Sequence, residues 1–196
     1  MKNRIITIGR EFGSGGRTIG RLVAEKLGIA CYDQELINKL AQESGFTPEY
    51  IQDQSEDATH GFWSLGILNS DQPWGDFGSN QDRLWAIQNE VITELGEKES
   101  CVIVERCADV ILEDKADLLK VFIHADFDAR AKRIVEKYGE PAVPTEKRLR
   151  DKDKRRALYY QLYTDRKWGA VENYHVILDS GVLGIEKCAE IIASLY

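Results

Sequence analysis

The sequence predicts a single α/β domain on a three-layer parallel sheet, and three observations carry that expectation. A short β-branched run, Arg4 to Ile8, passes at once into a glycine-rich stretch and then into apolar residues at helical spacing. Two later runs, CVIV at 101–104 and LLKVFIH at 118–124, are almost continuously apolar, as strands covered on both faces are. Strand-like and helix-like segments alternate along the chain, which implies crossover connections and hence parallel pairing.

Taken in order, Ile19, Leu22, Val23 and Leu27 mark the first helix, which Gly28 stops, and Ile29 to Tyr32 reads as a second strand. Leu36, Ile37 and Leu40 begin another helix from Asp33 onward. From Phe46 to Asn80 the periodicity dissolves into Gly, Asp, Ser and Asn with Phe62, Trp63, Trp74 and Phe77 interspersed, as in an insertion carrying aromatic contacts. Those aromatics either pack the insertion onto the core or stack on a ligand. Gln81 to Glu97 reads as a helix through Leu84, Ile87, Val91 and Leu95. After the strand at 118–124 comes the helical FDARAKRIVEKYG, broken by Pro141 and Pro144 before a charged helix, TEKRLRDKDKRRALYYQLYT. Tyr174 to Leu178 is the last expected strand, and an amphipathic helix from Ile185 to Leu195 closes the chain.

Composition narrows the function classes. With 196 residues, 43% hydrophobic and 30% charged, the chain suits one ordinary globular domain. A net charge of -7 opposes attraction to a nucleic-acid backbone, so no nucleic-acid partner is expected. The N-terminal apolar run is too short for a signal segment and no run could span a bilayer, so a cytoplasmic protein without a membrane partner is expected. Cys31, Cys101, Cys107 and Cys188 show no metal-type or disulfide-framework spacing and read as free, mostly buried thiols. His60, His124 and His175 form no arrangement of nucleophilic type.

The strongest chemical signal is IITIGREFGSGGRTIGRLVAEKLG, with Gly9, Gly13, Gly15 and Gly16 between the first strand and the first helix. Such a loop turns its N–H groups inward and, with the positive end of the following helix, cradles an anion. It departs from the GxxxxGK[ST] pattern in having no lysine. Two registers are open: Gly16 stands in the lysine slot, or Gly16, Arg17 and Thr18 replace the G-K-T triplet with Glu11 where a first glycine belongs. In either, the missing charge comes from Arg10 or Arg17.

The ordered blocks REFGSGGRTI, YDQELI, CVIVERCADVIL, VFIHADFDARAKRI, DKDKRRALYYQLYTDRKWG and NYHVILDSGVLGIE resemble the cytidylate-kinase-like family, a branch of the P-loop nucleoside monophosphate kinases. The resemblance implies a P-loop nucleotide kinase sheet (core 1–45, 81–137 and 166–196) with an acceptor-binding insertion at 46–80 and a short lid at 138–165. It implies transfer of the γ-phosphoryl group of ATP to CMP or dCMP with Mg²⁺ bridging the phosphates, small-molecule nucleotides being the partners. Donor phosphates would lie on Gly9, Arg10, Gly13, Ser14, Gly15, Gly16, Arg17 and Thr18, with Thr18 contacting the magnesium ion.

On the acceptor side the resemblance places Asp33, Arg106 and Asp109. Asp33 could equally cap the helix that follows it, and Asp109 could equally be a surface helical residue. Arg106 follows a buried strand, where parallel-sheet proteins place ligand groups, but the family's usual glycine before it is Glu105 here. Arg17, Arg130, Arg133 and Arg155 are the expected catalytic arginines, the last from a lid helix in which Lys152 and Arg156 also recur. Interleaved Asp151 and Asp153 also suit a solvated helix face. Two further functions fit the same residues: a kinase of another small acceptor, or a non-catalytic nucleotide-binding regulatory protein.

Overall fold

The structure, a computed structural model, describes residues 2–51, 77–138 and 145–196. Phe62, Trp63, Trp74, His60, Pro141 and Pro144 lie outside the described residues.

Five strands form one sheet: β1 (Arg4–Arg10), β2 (Ala30–Tyr32), β3 (Cys101–Val104), β4 (Asp117–His124) and β5 (Val176–Asp179). Their order is β2-β3-β1-β4-β5 and every pairing is parallel. The long helices are α1 (Gly16–Leu27), α2 (Gln34–Ser44), α3 (Phe77–Lys98), α5 (Phe127–Tyr138), α6 (Thr145–Thr164) and α8 (Ile185–Ser194). Two four-residue helical turns lie between them, α4 (Ala108–Ile111) and α7 (Ser180–Leu183). None of these helices is long and apolar enough to cross a membrane.

Alternation along buried strands explains their continuous apolar runs. Ile5 and Ile103 face α2, α3 and α4, packing with Leu36, Leu40, Ile92 and Leu112. Their neighbours Ile6, Ile8 and Val102 point the other way, onto Ile19 and Val23 of α1 and Ile192 of α8. Two helical layers thus cover the sheet, and β1 runs through its middle.

Several boundaries differ from the sequence expectation for identifiable reasons. The first strand continues to Arg10, so Gly9 belongs to the sheet, opposite Phe122. A side chain there would put its Cβ 2.9 Å from Phe122 Cδ2 and 3.3 Å from Tyr174 Cε1, so the bare backbone seats these rings. The last strand begins at Val176 because Tyr174 ends a short 3-10 turn and packs its ring on Phe122, centroids 4.9 Å apart. Trp168 meets the same Phe122 edge-on at 5.2 Å. Helix α3 begins at Phe77, within the span expected to be insertion.

The charged helix α6 is not wholly solvated. Leu149, Arg156 and Tyr160, seven and four residues apart, form one buried stripe. The four thiols are free. Burial pushes Cys31 up to about 11 and Cys101 to about 12, so both stay protonated and inert near neutrality.

Gly9→Ala is expected to destabilise the fold by about 1–3 kcal/mol, because Phe122 and Tyr174 leave no space for a methyl group. Urea unfolding of the variant against the parent chain measures it; an unchanged midpoint would show that the rings can give way.

Candidate functional site: a lysine-free phosphate loop ringed by buried arginines

Residues 11–15 join β1 to α1, and two of them need glycine. Gly13 and Gly15 have φ of 82° and 83°, and Gly15 directly precedes the first helical residue, Gly16. The first-turn N–H groups of α1 are thereby aimed at the loop, where they can bind an anion.

The loop is braced from three sides. The Ser14 hydroxyl donates to the Glu11 carbonyl at 2.9 Å, and the Ser14 carbonyl accepts the Ser180 hydroxyl at 2.6 Å. Ser14 is buried, so its hydroxyl shapes the loop from behind. The Glu11 carboxylate accepts from the Ala125 N–H at 3.2 Å and pairs with Arg130 at 3.4 Å. From α6, the Asp153 carboxylate accepts the Phe12 N–H at 2.7 Å and also holds Arg130.

The Arg10 side chain crosses the loop at Gly16. A Cβ built on Gly16 would lie 2.7 Å from Arg10 Cβ and 2.8 Å from its Cδ. The Arg10 side chain therefore fills the space a residue at 16 would enter, and Gly16 is the residue that gives it room. Arg10 is 6% exposed, its guanidinium reaching Glu105 Oε2 at 3.4 Å. Arg17 turns elsewhere: its Nε lies 3.0 Å from Asp33 Oδ1, while Arg21 reaches the other Asp33 oxygen at 3.5 Å. The Asp33 side chain makes no capping bond to α2.

The remaining arginines fall into distinct environments. Arg133 lies against Gly15, its Cζ 2.8 Å from where a Cβ would stand. Arg130, buried, is engaged by Glu11, Asp153 and the Phe12 carbonyl, so it braces the loop. On α6, Arg156 is 5% exposed, donates to the Arg10 carbonyl at 3.3 Å and pairs with Glu105 Oε1 at 3.4 Å. Arg155 instead lines a more open surface depression with Lys147, Arg148, Asp151 and Lys152. Thr18 is solvent-exposed in the first turn of α1. Among the described residues, no group of three or more His, Cys, Asp or Glu is arranged to hold a metal ion.

Next to the loop, β3 ends in a left-handed turn of three non-glycine residues, Glu105, Arg106 and Cys107, with φ of 66°, 61° and 55°. Each such residue costs about 1–3 kcal/mol and persists only where its surroundings over-determine it. Here the Glu105 N–H donates to the Ile8 carbonyl at 2.9 Å, and the wholly buried Gln88 donates to the Arg106 carbonyl at 2.9 Å. Arg106 donates to the Ile51 carbonyl at 3.2 Å. A cavity of about 40 Å³ opens here, lined by Gly9, Glu105, Arg106, Asp109, Arg156 and Tyr160 among others. That is room for water, not for a nucleoside.

Asp109 sits in that cavity wall, buried, accepting the Tyr160 hydroxyl at 2.7 Å. Burial pushes its carboxyl above the ordinary 3.8, with the Tyr160 hydrogen bond pulling back. Sequence reasoning missed Gln88, Glu11 and Asp153 as bracing residues. Gln88 was readable: it falls on the stripe Leu84, Val91 and Leu95, a polar residue at a core position.

A parallel sheet whose central strand opens into a glycine loop on a helix N-terminus, with buried arginines converging there, defines the P-loop kinase fold and an enzyme of nucleotide-kinase type. The chain belongs to the cytidylate kinase-like family, whose model matches residues 5–182. It is 30% identical over 193 residues to the cytidylate kinase of Archaeoglobus fulgidus, covering 95% of this chain and 91% of that protein. An uncharacterized protein from Eubacterium ventriosum has a solved structure that superimposes with a TM-score of 0.72 at 28% identity, covering 98% of both chains. The shikimate kinase of Acinetobacter baumannii shares the fold, with a TM-score of 0.55 at 17% identity over 100% of this chain and 93% of that one.

Two outcomes are expected. Gly16→Lys, which adds back the missing lysine, should weaken binding of a nucleoside triphosphate, because Arg10 occupies its path; the double variant Arg10→Ala/Gly16→Lys should regain part of the loss, read by calorimetry. Asp109→Asn keeps an acceptor for Tyr160 while removing a carboxylate whose raised pKa makes its charged form unfavourable in the fold. The carboxyl's stability contribution is full below its ordinary 3.8 and is lost as pH rises through the raised value. Asp109→Asn should therefore melt above the parent at pH 8, with the gap closing as the pH falls toward 4.

Proposed function

We propose that the protein transfers the γ-phosphoryl group of ATP to a nucleoside monophosphate, with CMP and dCMP as preferred acceptors. The observation that carries this reading is Arg10 laid across Gly16, a buried guanidinium where the phosphate loop lacks its lysine. An arginine there supplies the positive charge for the donor phosphates and, unlike lysine, can engage two oxygens at once.

In this reading the N–H groups of Gly13, Gly15, Gly16, Arg17 and Thr18 hold the donor phosphates, and Arg133 reaches the transferring group beside Gly15. Arg106 and Arg156 face the acceptor phosphate. Asp33 and Asp109 hold the acceptor's hydroxyl or base edges, with Asp33 oriented by Arg17 and Arg21. Residues 46–80 form the acceptor-binding insertion and 138–165 the lid. In this reading helix α6, which lines the cavity with Arg156, Tyr159 and Tyr160, moves to admit the acceptor and closes again, expelling water.

Mg²⁺ arriving with the nucleotide would be held on the protein side by the Thr18 hydroxyl and would supply neutralisation of the phosphate charge. The donor set fits an ion that arrives with the nucleotide and keeps its waters: one exposed hydroxyl, Thr18, at the loop and, among the described residues, no carboxylate cage.

ADP formation with ATP and Mg²⁺ should be stimulated by CMP and dCMP and not by UMP, AMP or GMP. No stimulation by any of the five, with ATP binding intact, would rule the reading out. Arg10→Met should lower kcat/KM by about 10²–10³-fold, the usual effect of deleting one charge-stabilising donor, with circular dichroism unchanged.

A further inference from the structure

Glu105 is a carboxylate where a phosphate-binding site should avoid one. It follows β3, the strand beside β1, and its backbone N–H is fixed to the Ile8 carbonyl at 2.9 Å, so the sheet places it at the mouth of the phosphate loop. Its side chain lies between two arginines that are each more than nine-tenths buried, with Oε2 3.4 Å from Arg10 Nη2 and Oε1 3.4 Å from Arg156 Nε.

Both contacts exceed the 2.7–2.9 Å of well-formed charge-assisted hydrogen bonds. Glu105 Oε1 is buried yet accepts no hydrogen bond among the described residues. The two guanidinium groups are thus spaced for something wider and richer in oxygen than one carboxylate. The left-handed φ of 66° at Glu105 shows that a residue with a side chain stands where the backbone favours glycine.

We infer that Glu105 is an internal counter-anion: it occupies the phosphoryl seat between Arg10 and Arg156, and an incoming phosphate must displace it. The inference rests on the phosphotransfer reading above and adds a specificity rule to it. A bound anion has to out-compete a tethered carboxylate, so the seat takes multiply charged phosphates and rejects singly charged acids of similar size. When no phosphate is bound, the same carboxylate keeps two buried cations from repelling each other. A carboxylate that merely positioned Arg10 would have the opposite signature, since its loss would weaken anion binding.

Inorganic pyrophosphate is the probe, and calorimetric affinity and thermal melting of the full chain are the readouts. E105Q keeps the side-chain size and removes the charge. It should melt below the parent without anion, bind pyrophosphate about tenfold more tightly, one ion pair's worth of competition removed, and show the larger rise in melting temperature with pyrophosphate. E105G, which also relieves the left-handed strain, should bind more tightly as well and serves if E105Q folds poorly. Parent binding with equal or weaker binding by both variants would overturn the inference and leave the phosphotransfer reading standing. Folded proteins that bind no pyrophosphate in any form would overturn both.

Discussion

Burying several guanidinium groups at the C-terminal end of a sheet's strands is possible only if each is met by an opposite charge. Arg10, Arg130 and Arg156 converge on the phosphate loop, and Glu11, Glu105 and Asp153 are distributed among them so that none lies unpaired. Removing one partner of a buried pair typically costs about 3–5 kcal/mol, far more than a surface pair is worth. The loop's shape depends on these carboxylates as much as on its glycines. Asp153 holds Phe12 and Glu11 holds Ala125, so the charge network and the backbone path are one structure.

That coupling explains why α6 belongs to the site. Asp153 and Arg156 leave the same helix, three residues apart, and reach the loop and Glu105 respectively. Phe12 lies under both Arg148 and Arg156, whose guanidinium carbons stand 5.8 and 5.5 Å from its ring centroid. Charge pairs and cation–π contacts thus fasten this helix to the phosphate loop. Away from the site, Glu113 is held down to about 2 by Arg166 and Lys120, but Glu113 and Arg166 are about one-third exposed, so solvent screening discounts this cluster's contribution to stability.

Much of the architecture was legible because it follows from periodicity. CVIV and LLKVFIH could only be covered strands, and α6 spans the residues the charge pattern marked, Thr145–Thr164. The glycine loop was legible as an anion cradle, and Arg10 and Arg17 were the two candidates for the missing lysine charge. Which of them crosses Gly16 was not legible, because that contact joins residues whose directions are set by β1 and α1 separately. The bracing roles of Ser14 and Arg130 were not legible, because each depends on partners distant in the chain: Ser180 for one, Glu11 and Asp153 for the other.

The amino-acid order by itself determined the parallel α/β class, the strand-loop-helix unit that binds an anion, and the absence of a lysine from that loop, since these rest on local pattern and composition. Only the tertiary structure decided that Arg10 crosses Gly16, that Arg156 rather than Arg155 faces inward on α6, and that Glu105 sits between the two buried arginines. Those outcomes turn on differences of one residue in helix phase and on backbone φ at a strand end, and packing against the sheet selects among alternatives that local sequence leaves nearly equal in energy.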